Sequence, residues 1–295
     1  MIRALVRATV ALLAVVALGA LAVGGVVTAL RSSDAEPRDA ERCTATNDGV
    51  RYALSHEQAD HAALLAASTL RRGMPARAAT IAIATAMQES SLRNLDHGDR
   101  DSLGLFQQRP SQGWGSAEEV MDPVFSTGAF LEALSRVDGY EQMEITVAAQ
   151  TVQRSAFPEA YAQHEPLARA WASALTGHSP AAVTCVVHEP VAGSTSALLE
   201  RVERDLGDVG VEVSDGEGPA SVVLDAGVLA GAGGEGAERL AWAVGQWGVA
   251  LAAPLGIAEV AVADRRWLVD EAAWTAVGQD EASPGPGLVR VTLHG

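Results

Sequence analysis

The stretch that decides the fold is IAIATAMQESSLRNLDHGDRDSLGLFQ, from residue 81 to residue 107. It begins as an apolar helix and meets one acid, Glu89, before a loop rich in Asp and Arg. A buried carboxylate is costly unless it is paired or protonated. Glu89 is therefore either a surface residue or an acid kept neutral for chemistry. The apolar side chains on the preceding turns favour burial, which would raise its pKa.

The composition of the chain disfavours several classes of binding partner. The chain has 295 residues and a formal net charge of −16, and its 21 basic residues are all arginine. Nucleic acid is disfavoured as a partner, because its phosphates require a basic face. We expect no cofactor and no metal, since the histidines lack ligand spacing and two distant cysteines make a poor metal site. Protein partners cannot be named from the sequence.

The amino terminus predicts a membrane anchor. Residues 8–30 carry no charge and follow Arg3 and Arg7, and about 20 apolar residues suffice to span a bilayer. We expect a transmembrane signal anchor over residues 1–30, with a cytoplasmic amino end and extracytoplasmic domains. The alternative is a signal peptide cleaved near Ala20-Leu21-Ala22, which would give a secreted protein.

The remaining chain divides into two predicted domains. Residues 31–42 form a polar linker, and residues 43–185 an all-α domain with a long loop at about 94–121. Its first helix begins at a capping box, Ser55-x-x-Gln58. Residues 186–197 form a second linker before an α+β accessory domain over 198–295, with a small mixed sheet. Outside the cytoplasm Cys43 and Cys185 can form a disulfide, although two independent thiols are the alternative.

The quoted stretch resembles a known enzyme superfamily. Glu89-Ser90 at the end of an apolar helix, followed by Ser102-x-Gly-Leu-Phe-Gln107, is similar to the motifs of goose-type lysozymes and lytic transglycosylases. Phe106 stands where the family more often has Met. The resemblance covers residues 43–185 and implies a muramidase fold that acts on the glycan strands of peptidoglycan. Glu89 would be its general acid and then its base, which requires a raised pKa.

The resemblance also implies a set of substrate contacts. Gly104 would let the backbone approach the sugar, Gln107 would bind an N-acetyl or hydroxyl group, and Ser90 would orient Glu89 or an acetamido group. The segment AAQTVQRSAFPEAY, residues 148–161, lacks a clear form of the Ala-Tyr-Asn-like element of the family. The predicted substrate-binding residues are Ser90, Gly104, Leu105, Phe106, Gln107, Trp114 and Tyr161, the last two by stacking on sugar rings.

Two questions stay open at this stage. A glycosidase that hydrolyses its substrate needs a second acid, for which Asp96, Asp99 and Asp101 are the candidates, but Asp is also a common turn residue. A lytic transglycosylase would need Glu89 alone. The alternative to an enzyme is a catalytically weak or inactive peptidoglycan-binding scaffold of the cell envelope. A function residing in the acidic C-terminal domain is a further alternative.

Overall fold

The computed structural model describes residues 40–154, 158–214, 218–233, 236–278 and 282–295. The transmembrane anchor predicted over residues 1–30, and most of the linker after it, lie outside these ranges. Within the part that the structure describes, none of the helices has both the length and the apolar composition needed to cross a bilayer. The described residues between 41 and 295 form one compact unit.

The region predicted to be all-α contains a sheet, so that prediction is wrong. Strands β1 (Arg42–Asn47), β2 (Val50–Leu54) and β3 (Val183–Val186) pair antiparallel in the order β2-β1-β3. Asp48 and Gly49, both with positive φ (49° and 77°), form the hairpin turn between β1 and β2. Cys43 lies opposite Cys185 across β1 and β3, and the predicted disulfide between them is confirmed.

Helices make up the rest of this region. Helix α1 (His56–Arg71) begins at Ser55, whose side chain and that of Gln58 form the predicted capping box. Helix α2 (Ala76–Ser90) is buried over most of its length. A short helix, α3 (Ala117–Met121), begins after the capping box at Ser116, in a region that the sequence predicted to be a loop. The helices that follow it are α4 (Pro123–Ser135), α5 (Ile145–Gln153) and α6 (Glu165–Leu175).

The C-terminal part packs helices on a second sheet. Its elements in chain order are α7 (Thr195–Leu206), β4 (Gly210–Ser214), β5 (Ser221–Asp225), α8 (Ala237–Ala250), α9 (Ala252–Leu255), β6 (Ile257–Val262), β7 (Arg265–Leu268), β8 (Ala273–Ala276) and β9 (Leu288–Leu293). Among the described residues this is a six-stranded sheet in the order β4-β5-β9-β6-β7-β8, and every pair is antiparallel. The prediction of a small mixed sheet is therefore wrong. The last strand, β9, lies between β5 and β6 and pairs antiparallel with both of them.

A buried glutamine connects the two parts that the sequence predicts as separate domains. Gln246 of α8 is fully buried, and its Oε1 accepts from the backbone N–H groups of Ala182 and Val183 at 2.7 and 2.9 Å. Its Nε2 donates to the carbonyl oxygens of Ala174 and Ser179 at 2.7 and 3.1 Å. One side chain thus pairs four backbone groups at the end of α6 and the start of β3.

Candidate functional site

Glu89 lies at the end of the central helix and lines a cavity of about 470 Å³. Helix α2 ends directly after it, because Ser91 and Leu92 adopt left-handed backbone with φ of 54° and 56°. Their N–H groups donate to the carbonyl oxygens of Met87 and Ala86, both at 3.0 Å. These two carbonyl groups of the last helical turn are therefore paired. The end of the helix therefore holds Glu89 in a fixed position at the cavity wall.

The surroundings of Glu89 favour a proton on its carboxyl group. Burial raises the pKa of Glu89 above its ordinary value, while hydrogen bonds from Tyr161 and Gln153 oppose that rise. The Tyr161 hydroxyl donates to Oε1 of Glu89 at 2.6 Å. Tyr161 is fully buried, so its ring is packed in the protein and its hydroxyl fixes the acid. The sequence had assigned this residue to sugar stacking.

Ser90 joins the helix to the loop that carries the Gly-Leu-Phe-Gln element. Its Oγ donates to the carbonyl oxygen of Leu105 at 2.7 Å, lies 3.0 Å from the carbonyl oxygen of Ala86, and accepts from the Arg93 N–H at 3.2 Å. The residue is 6% exposed and does not line the cavity next to Glu89. Ser90 thus positions Glu89 through the backbone.

The loop that carries the Gly-Leu-Phe-Gln element also packs against helices α3 and α4. Gly104 has φ of 75°, and a Cβ there would lie 2.5 Å from the carbonyl oxygen of Val120, so the glycine permits close packing against α3. Leu105 and Phe106 are fully buried. The ring of Phe106 stacks on Phe130 of α4, with ring centroids 4.4 Å apart. These contacts are with protein, where the sequence had predicted contacts with sugar.

The two adjacent glutamines of this loop differ in their hydrogen bonds. Gln107 lines the cavity, and its Nε2 donates to the carbonyl oxygens of His97 and Gly104, both at 3.3 Å. Gln108 lines the same cavity and is 2% exposed, yet neither of its side-chain polar atoms has a hydrogen-bond partner among the described residues. Leaving such a group unpaired costs about 1–3 kcal/mol.

The three candidate second acids lie in different settings. Asp96 is exposed and accepts from His97 Nδ1 at 2.8 Å, which lowers the pKa of Asp96. Asp101 binds the loop together: hydrogen bonds from Ser111, and then from Arg109, hold the pKa of this carboxyl far below its usual range. Of the three, only Asp99 lines the cavity with Glu89, and its side chain is 91% exposed.

The cavity continues into a second one. A larger cavity of about 700 Å³ lies beside it, between the loop and helices α4 and α5. The two share the lining residues Gln112, Trp114, Gln153 and Arg154. Together they form a cleft with Trp114 at the junction and Glu89 on the wall of one half. Such a continuous cleft suits an extended ligand better than a small one.

The charge of the cleft differs from that of the chain. The whole chain has 37 acids against 21 arginines. The lining of the two cavities includes two acids, Glu89 and Asp99, and four arginines: Arg100, Arg109, Arg136 and Arg154. Arg109 is paired with Asp101 and Arg136 with Glu132, both at 2.7 Å, and Arg100 with Asp99 at 3.9 Å. Three of the four arginines that line the cleft therefore already have an acidic partner.

Several cleft residues were not predicted from the sequence. Gln153 donates to the carbonyl oxygen of Phe106 at 2.7 Å and also bonds Glu89, and Arg154 follows it with φ of 53°. The backbone of Gln107 also has a left-handed conformation, with φ of 47°. Residues other than glycine in this region of backbone space are uncommon and cluster at functional sites. The signal for Gln153 lay in residues 148–161, the segment that was compared above with the third motif of goose-type lysozymes and lytic transglycosylases.

Two comparisons with known proteins found no match. No family model matches the chain, and no curated protein matches it. Within the described residues, no group of His, Cys, Asp and Glu side chains is arranged to hold a metal ion.

Proposed function

We propose that the protein is a muramidase-like enzyme that cleaves the glycan strands of peptidoglycan, with Glu89 as general acid and then general base. The observation that carries the proposal is the setting of Glu89. A carboxyl group with a raised pKa, held by Tyr161, lines a long cleft. Protonation of a glycosidic oxygen near neutral pH requires an acid of this kind.

The hydrogen bond from Tyr161 sets the direction of proton transfer. Because Oε1 of Glu89 already accepts from the tyrosine, the proton of the neutral acid belongs on Oε2. Glu89 gives this proton to the bridging oxygen as the bond from that oxygen to the anomeric carbon breaks. The leaving sugar departs with a new hydroxyl group, and the anomeric carbon acquires oxocarbenium character.

A single placed acid favours transglycosylation over hydrolysis. In this reaction the 6-hydroxyl of the same sugar attacks the anomeric carbon and gives its proton to the Glu89 carboxylate, which restores the acid and yields a 1,6-anhydro sugar. Hydrolysis would need a second carboxylate, and Asp99 is the one predicted candidate on the cavity wall. Its high exposure gives it no fixed position opposite Glu89.

Other features support a wall polymer as substrate. Trp114 lies at the junction of the two cavities, where an indole ring can pack on a sugar face. Arg154 lines both cavities, and its guanidinium group suits a carboxylate of the peptide stems. The Cys43–Cys185 disulfide is typical of proteins that work outside the cytoplasm, where peptidoglycan lies.

The test is product analysis by mass spectrometry after incubation of the full-length protein with purified peptidoglycan. We expect 1,6-anhydro muropeptides from the parent and none from Glu89→Gln, which keeps the shape of the side chain and removes the acid. Reducing-end products would mean hydrolysis and would direct attention to Asp99. A folded parent that binds the polymer and releases nothing would contradict the proposal and favour the scaffold alternative.

A further inference from the structure

The two outer strands of the six-stranded sheet differ in what covers them. At one end, β8 and the turn before it are joined to β3. The Thr184 hydroxyl donates to the carbonyl oxygen of Ala272, and the Trp274 indole N–H donates to that of Val183 at 2.7 Å. At the other end lies β4, which pairs with β5 alone among the described residues. Within the described part of the chain, the sheet therefore has one covered edge and one open edge.

The open edge also exposes apolar side chains. All five residues of β4 are exposed, and Val211 and Val213 among them are 39% and 42% exposed. These valines lie opposite two residues of β5 that are fully buried, Leu224 and Val222. Residues directly opposite each other on paired strands project from the same face of the sheet. The two valines therefore continue the buried face of β5 past the part that the described residues cover.

The sequence of β4 does little to protect this edge. Natural sheets protect their edges with lysine, proline, bulges or a covering element. The strand reads Gly-Val-Glu-Val-Ser, and it pairs with β5 in continuous register over all five positions. Its one charged residue, Glu212, lies on the face opposite to the two valines, because successive side chains of a strand alternate. An edge of this kind is a surface to which an extended segment can add as a further strand.

The charge around β4 selects the chemistry of that segment. Glu212 is exposed on the strand, and Asp208 is exposed just ahead of it. Before the strand, Arg204 is paired with Asp205 at 2.7 Å, and Arg71 donates to the carbonyl oxygen of Arg204 at 2.9 Å. From residue 200 to the C terminus the chain has sixteen acids against six arginines. An added segment with basic side chains is therefore favoured over an acidic one.

We propose that β4 is the docking site for an extended segment of another protein in which apolar and basic residues alternate. The apolar side chains of the added strand lie beside Val211 and Val213, and its basic side chains lie beside Glu212. A second copy of this chain fits less well, since pairing β4 with itself brings Glu212 of the two copies close together, and like charges across a strand pair are destabilising. None of the residues that line the cleft belongs to β4, so this docking does not depend on the proposed function.

The test is peptide binding to the full-length protein, measured by calorimetry and by amide hydrogen exchange. The probe is a capped heptapeptide in which arginine and valine alternate. Its control is a peptide of the same composition with all the arginines grouped before the valines, which keeps the charge and removes the alternation. We expect the alternating peptide to bind more tightly by about fivefold or more, since several cross-strand contacts act together. It should slow exchange of the N–H groups of residues 210–214 that do not pair with β5.

Variants on the two faces of the strand identify the contacts. Glu212→Arg should weaken binding of the alternating arginine peptide by about fivefold or more and favour its glutamate counterpart, because opposite charges across the pair become like charges. Replacing Val211 and Val213 by threonine keeps the shape of the side chains and their preference for strands, and it should weaken binding through the lost apolar contact. The matched control is Val50→Thr on β2, where the valine is 51% exposed, and it should leave binding unchanged.

Four results would overturn the proposal. Equal or absent binding of the two arginine peptides by the parent would mean that charge alone attracts them or that no site exists. Protection outside residues 210–214, with none within them, would place the peptide elsewhere. Slow exchange of the outward N–H groups of β4 in the free protein, together with a dimeric mass, would assign the edge to a second copy. Weaker binding by Val50→Thr, with the β4 variants unchanged, would move the docking site to β2.

Discussion

Replacing Gly104 by alanine tests why the loop beside Glu89 needs glycine. The new Cβ would sit in left-handed backbone at φ of 75° and 2.5 Å from the carbonyl oxygen of Val120. The backbone conformation costs about 1–2 kcal/mol for a residue with a Cβ. Overpacking against a backbone atom adds about 1–3 kcal/mol. We therefore expect Gly104→Ala to lower the free energy of unfolding by about 2–5 kcal/mol.

The same loop offers a matched control. Gly113 has a similar φ of 84°, but a Cβ there meets nothing within 4 Å. Gly113→Ala should therefore cost only the conformational part, about 1–2 kcal/mol. Urea denaturation of both full-length variants, followed by tryptophan fluorescence, gives the two losses. Equal losses would refute the packing explanation and would return Gly104 to the predicted role of sugar approach.

Three further changes test the contacts that hold the structure together. Ser90→Ala should cost about 1–3 kcal/mol in urea denaturation, because the buried Leu105 carbonyl loses its donor; a neutral result would contradict the positioning role. Replacing Cys43 and Cys185 by alanine removes a cross-link between residues 142 positions apart in the sequence. The free energy of unfolding should fall by up to about 5 kcal/mol, because the unfolded chain gains conformational entropy. An unchanged midpoint would show that the bridge contributes nothing. Gln246→Leu removes the acceptor of the Ala182 and Val183 N–H groups and a donor to the Ala174 and Ser179 carbonyl oxygens, and it should cost about 3 kcal/mol or more, whereas independent domains would unfold as before.

The sequence predicted the elements that local patterns determine. The capping box at Ser55 and the apolar run up to Glu89 define helix ends by residue type and period, and the structure has helices there. The prediction of an all-α region failed because its sheet depends on pairing between β1 and β3, which are far apart in sequence. The Asp48-Gly49 turn was the local signal for the hairpin, but short strands of four to six residues carry little periodicity.

The candidate site was only partly accessible to sequence reasoning. The position of Glu89 beside apolar residues predicted its burial, since neighbours along one helix are fixed by its period. Its partner Tyr161 comes from a distant segment, so its hydroxyl could not be assigned to the acid before the fold was known. In the same way, Gln107 and Gln108 are chemically identical in the sequence, and only the packed loop distinguishes the bonded amide from the unbonded one.

The central claim is that Glu89 acts in its protonated form, and the pH dependence of glycan cleavage tests it most directly. The measurement is kcat/KM for release of soluble muropeptides against pH, for the parent and for Tyr161→Phe. Activity should fall as pH rises through the pKa of Glu89, which burial raises. Removing the tyrosine hydroxyl removes a bond that lowers this pKa, so the falling limb should move to higher pH. A limb that does not move, or cleavage that survives in Glu89→Gln, would contradict the account.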